Sequence, residues 1–178
     1  TLSNLGSLHA RLGQYAEALD CQRQALEAHR AVNDRVGEGE ALGALGETYL
    51  RAGRYEEALG ELGSALATSG ETGERSLAAR TRNALGETLL ALGRTATATE
   101  HHESARAVAA EVGDGGELAR AERGLGHVRA DAGEWRAARE HWERALAGYA
   151  ELGMPEADEM RELLRTPRQA EISEGGTG

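Results

Sequence analysis

Apolar residues along this chain return at helical spacing, three, four or seven positions apart, rather than in strict alternation. Leu42, Leu45 and Tyr49 form one such stripe, and Ala58, Leu62 and Ala65 form the next. One isoleucine, no phenylalanine and few valines leave little from which strands could be built. The stripes themselves recur every forty residues. Leu-Gly stands at Leu5-Gly6, Leu45-Gly46, Leu85-Gly86 and Leu125-Gly126, and glycine returns at Gly13, Gly53, Gly93 and Gly133. Alanine keeps step at Ala18, Ala58, Ala98 and Ala138, and again at Ala25, Ala65, Ala105 and Ala145. Columns held in register over four units predict an array in which each unit packs on its neighbours. The predicted fold is all-α, a solenoid of antiparallel helix pairs, with units at approximately 1–33, 36–73, 76–113 and 116–153.

The small residues have a physical reading. Two antiparallel helices approach closely only where side chains are small, so Gly46 and Ala58 mark the crossing within a hairpin, and Ala65 serves against the next unit. Gly53 sits where a first helix must stop, a position that favours a left-handed backbone. Tyr15, Tyr55 and Trp135 follow two residues after that glycine and fill the space beneath the turn. Residues 154–166 fall in register with a fifth first helix, and Met160, Leu163 and Leu164 would cover the last hairpin. Pro167 ends that helix, and 167–178 reads as a disordered tail. At the other end the chain is expected to begin inside a helix, as a piece of a longer protein. Unit three is the weak unit: Thr95-Ala96-Thr97-Ala98-Thr99 opens its second helix with β-branched residues. Gly113-Asp114-Gly115-Gly116 reads as a linker, so the array is expected to be loosest there.

A period near forty also suits HEAT and armadillo units and propeller blades, and the motif decides among them. Unit two reads Leu42-x-x-Leu45-Gly46-x-x-Tyr49, then Ala58-x-x-x-Leu62 and Ala65. This resembles the tetratricopeptide repeat, with Leu42 in the tryptophan place and Leu62 in the phenylalanine place. The usual unit has about 34 residues; the six extra ones fall between Ala65 and Leu85 and lengthen two helices by about a turn each. Such elongated units are similar to those of kinesin light chains and of the C-terminal arms of actinobacterial signal-transduction ATPases with an NB-ARC switch. The resemblance implies a right-handed superhelix whose first helices line a concave groove. Carried over by column, the groove residues are Asn4, Ser7 and Arg11; Glu40, Glu47 and Arg51; Arg80, Asn83 and Glu87; and Arg120, Arg123, His127 and Asp131. Basic residues and asparagines at such columns hold a peptide's carboxylate or backbone in the family. The residues alone leave a second reading open, that of solvated faces with intrahelical ion pairs around Arg80.

Composition narrows the function. All twenty basic residues are arginine, a bias that points to a GC-rich genome and an actinobacterial source. A net charge of −10 argues against direct nucleic-acid binding. No apolar run is long enough for a membrane helix, and Cys21 has no partner for a disulfide, which fits a cytoplasmic protein. His101 and His102 are adjacent and point about 100° apart on a helix, while His101 and His141 share a column; chance exposure explains them better than a metal or cofactor. No phosphate loop, nucleophile elbow or zinc motif is present, so no enzyme is expected. The expected function is a protein- or peptide-binding scaffold, the sensory arm of a larger transcriptional or signalling regulator. Its partner would be a peptide in the groove or the upstream domains of its own chain. The alternatives are a free-standing peptide-pheromone receptor or assembly adaptor, and end-to-end self-association through Leu2, Leu5 and Leu8.

Overall fold

A computed structural model describes residues 1–165. Its helices are α1 (Leu2–Arg11), α2 (Tyr15–Ala31), α3 (Arg35–Arg51), α4 (Tyr55–Thr72), α5 (Arg75–Ala91), α6 (Thr95–Val112), α7 (Gly115–Asp131), α8 (Trp135–Glu151) and α9 (Glu156–Arg165). Each helix packs on the one before it and the one after it, and odd helices also touch odd helices of neighbouring units. The result is a right-handed superhelical solenoid of four helix pairs closed by α9. The expected tail from Pro167 onward lies outside the described residues.

Local chemistry explains the breaks. The left-handed glycines Gly13, Gly53, Gly93 and Gly133 follow the odd helices with φ between 72° and 77°. At the end of α3, Gly53 N–H donates to Leu50 O at 3.1 Å and Arg54 N–H to Tyr49 O at 2.9 Å, a double closure that satisfies the last carbonyls. The turns between units use the same device, with Asn33, Gly73, Gly113 and Gly153 at positive φ. Asp34 and Asp114 then cap α3 and α7 by accepting from Gly37 N and Glu117 N at 2.9 and 3.0 Å. The expected glycine linker is therefore shorter than the sequence suggested: Gly113 ends α6, Asp114 caps α7, and Gly115 and Gly116 form its first turn.

The core follows the small-residue columns. Ala18, Ala58, Ala98 and Ala138 are wholly buried, as are Ala65, Ala105 and Ala145. The glycine of each Leu-Gly pair lies tightest against the residue four positions past the alanine, and in unit one against the Ala18 carbonyl as well. A methyl group on Gly46 would lie 2.4 Å from Leu62 rather than against Ala58, and Gly86 and Gly126 face His102 and Trp142 in the same way. The glycine makes room for a large residue four positions past the alanine, and the alanine itself is covered. At the C-terminal end Ala157 and Met160 of α9 are buried in one cluster with Trp142 and Tyr149, flanked by Leu163 and Leu164. Among the described residues no helix is long and apolar enough to cross a membrane.

Candidate functional site

Odd helices run side by side along one face of the array, and their polar columns form two adjoining hollows. The larger, about 560 Å³, is lined by Glu47, Arg51, Arg80, Glu87, Arg120 and Arg123 with neighbours from α7, α8 and the approach to α9. The smaller, about 250 Å³, opens toward α1 and is lined by Asn4, Ser7, Gln22, Glu40, Glu47 and Arg80 among others. Glu47 and Arg80 line both hollows and so stand at their junction. Most of the expected groove residues are thus brought to one surface.

Four are placed elsewhere, among them Asp131, which is exposed at the end of α7 and lines neither hollow. Arg11 is exposed at the end of α1 and lines neither hollow. His127 packs edge-on against Trp142, with ring centroids 5.6 Å apart. Asn83 is fully buried. Its amide nitrogen donates to the Glu117 carbonyl at 2.9 Å and to Glu117 Oε2 at 2.8 Å, and its oxygen faces His102 Nδ1 at 3.2 Å. An asparagine with its nitrogen so committed presents only an acceptor to the ring, so His102 carries its proton on Nδ1. Asn83 therefore clamps unit three to unit four and is not free at the groove surface.

The arginine cluster is also committed. Arg120 donates to both oxygens of Glu87 at 2.8 Å each and to Glu47 at 3.1 Å, reaching across units three and two. Arg123 adds a bond to Glu87 at 2.9 Å and stands 3.6 Å from Glu159 on α9. Arg80 pairs with Glu40, one period away. These bonds run between units, so the expected intrahelical pairing around Arg80 is corrected: odd helices lie close enough for long side chains to bridge them. Burial acts to raise the Glu87 carboxyl, but the charge and hydrogen bonds of Arg120, then the charge of Arg123, outweigh it and hold Glu87 at about 2. Burial also raises Glu117 above the usual carboxylate range, against the opposing charge of Arg120. Arg51 has no hydrogen bond or ion pair among the described residues.

The histidines differ from expectation. His102 is fully buried, not exposed by chance, and fills the space left by Gly86 and Gly124. Burial pushes its imidazole down to about 4, and Arg120 and Arg123 act in the same direction against Glu87. His141 bonds Glu122 at 2.7 Å, together with Arg144 at 2.9 Å, on the side of α7 away from the Arg120 network. Among the described residues no group of three His, Cys, Asp or Glu side chains is placed to hold a metal ion. Sequence reasoning missed Glu117 and the interior role of Asn83. A signal did exist for the ion pairs, because Glu40 and Arg80 are one period apart and Arg35–Glu71 recurs as Arg75–Glu111.

Comparison with known proteins follows this geometry. The chain superposes on a Rap protein complexed with competence and sporulation factor with a TM-score of 0.84 at 18% identity, covering 92% of this chain and 46% of that one. Aspartyl phosphate phosphatase F from Bacillus subtilis gives 0.78 at 18% identity, covering 98% and 47%. Kinesin light chain TPR-like repeats from Podosopora anserina give 0.69 at 19% identity, covering 92% and 81%. The chain thus spans slightly under half the length of the first two, and at these identities the likeness concerns the fold. No curated protein matches the sequence significantly. The tetratricopeptide repeat profile matches residues 1–71 and 73–164, nearly the whole described chain, and the protein belongs to that family.

Proposed function

We propose that this protein is a scaffold that holds an extended segment of another protein, or a short peptide, along the concave face of its odd helices. The observation that carries the reading is the pair of adjoining hollows on α1, α3, α5 and α7, joined at Glu47 and Arg80. An extended chain advances about 3.3 Å per residue, so a segment of six to eight residues spans roughly two adjacent odd helices and leaves alternate side chains facing the floor. Rigid helices hold that floor in place, so the ligand alone is ordered on binding. The fold neighbour solved with competence and sporulation factor supports a peptide as ligand, and nothing in the groove requires catalysis.

The finer setting is a regulatory one: the array acts as the sensory arm of a larger bacterial signalling or transcriptional protein, inside the cell. The fold likeness to a Rap protein solved with competence and sporulation factor supports that reading. The free-standing peptide receptor remains the second reading, favoured by the same Rap neighbour.

Selection from a random octapeptide display library tests the groove. Ser7→Trp and Arg51→Trp each place a bulky ring in one hollow from an exposed position, where the fold tolerates it. Peptides enriched on the wild type should lose at least tenfold in affinity on one or both variants. Peptides that bind all three proteins alike, or no enrichment at all, would overturn the proposal.

A further inference from the structure

We infer that Glu47 is the residue that reads the groove ligand, and that it selects a cationic side chain, an arginine or a lysine, at one position of the bound segment. The inference rests on the peptide-binding reading above and deepens it. The groove arginines look at first like a receptor for a carboxylate. Three of them are already occupied. Arg120 spends its Nε and both terminal nitrogens on Glu87 and Glu47, Arg123 bonds Glu87, and Arg80 bonds Glu40. An incoming anion would have to displace a bond already made while facing Glu47, Glu87 and Glu117.

The carboxylates are unequal. Glu87 accepts three hydrogen bonds and Glu117 is held by Asn83, whereas Glu47 accepts one, at 3.1 Å from Arg120. Its second oxygen has no hydrogen-bond partner among the described residues, and its side chain is about one-fifth exposed. Glu47 also stands where the two hollows meet, so a segment crossing from α1 toward α7 passes over it. A ligand cation placed there gains a charge-assisted bond, and Arg120 stays neutralised by Glu87 even if Glu47 turns away from it. Arg51, one turn further along α3 and unpaired among the described residues, is a competitor because it can fold back onto Glu47.

The same octapeptide library, sequenced after selection on wild type, Glu47→Gln, Glu47→Arg and the control Glu103→Gln, exposed on α6 and outside both hollows, tests the inference. The wild type should enrich arginine or lysine at least fivefold at one position. Glu47→Gln should lose that enrichment while keeping preferences elsewhere, Glu47→Arg should turn it toward aspartate or glutamate, and Glu103→Gln should leave it intact. Urea midpoints on all four proteins establish that each is folded. Enriched peptides with no basic position, or a basic position that survives Glu47→Gln, would overturn the inference and leave the groove standing. Failure to enrich any peptide would instead overturn the peptide-binding reading on which it rests.

Discussion

At the scale of the residue, each inner glycine is matched to the side chain it faces. His102 presses on Gly86 from its own unit and on Gly124 from the next, where a methyl group would lie 2.3 Å from the ring. In unit two the corresponding positions are Leu62 and Ala84, buried in one cluster. A leucine tolerates an alanine there and the imidazole does not. Gly124→Ala alone should cost about 1–3 kcal/mol by overpacking. His102→Leu alone should cost a similar amount, because Asn83 Oδ1 loses its donor in the interior. Together they recreate the unit-two pair, so urea unfolding should show the double variant more stable than the sum of the single effects by about 1 kcal/mol or more. Additive losses would show that the two residues do not share a packing constraint.

At the scale of the element, α6 is the one of α2, α4, α6 and α8 that buries no apolar side chain larger than alanine. Its inner face offers Ala98, His102, Ala105 and Ala109, where α4 presents Leu62. Two glycines in the first turn of α7 lose more backbone freedom on folding than alanine would. The helices are unbroken, yet their opening energy should be lower than that of the matching helices of unit two. Amide exchange should be faster over 93–117 than over the matching stretch 53–77. Equal protection in the two stretches would refute a weak third unit. The expectation of a weak third unit comes from the sequence, because threonine and glycine act through local backbone preference. The shortness of the turn was not, because the Asp114 cap and the left-handed Gly113 depend on how units three and four meet.

At the scale of the whole molecule, buried polar groups tie neighbouring units into one acid-sensitive assembly. The His102 imidazole, lowered from 6.5 to about 4, releases its proton in the folded state where an unfolded chain still binds one. Its contribution is therefore fully present above about pH 6.5 and is lost as pH falls toward 4, a difference of about 3 kcal/mol. Glu87, held at about 2, adds a second loss below about pH 4.5. Urea midpoints measured between pH 7 and pH 4.5 should fall more steeply for the wild type than for His102→Leu. Parallel slopes would show that His102 titrates alike in the folded and unfolded chains.

The sequence by itself determined the period, the helix pairs, the turn glycines and the capping helix. Each follows from the spacing of small and apolar side chains within one unit, which the chain states four times over. Only the tertiary structure decided what the polar columns do. Arg80, Asn83, Arg120 and Arg123 read as an open receptor when each helix is taken alone. Their partners, Glu40, Glu117, Glu87 and Glu47, come from neighbouring units or the one beyond, at separations fixed by how closely one helix pair stacks on the next. Side-chain reach across that stack shows in the sequence only as an offset of one period, as between Glu40 and Arg80, so the residues that looked free within one helix are paired in space, and a carboxylate is left to meet the ligand.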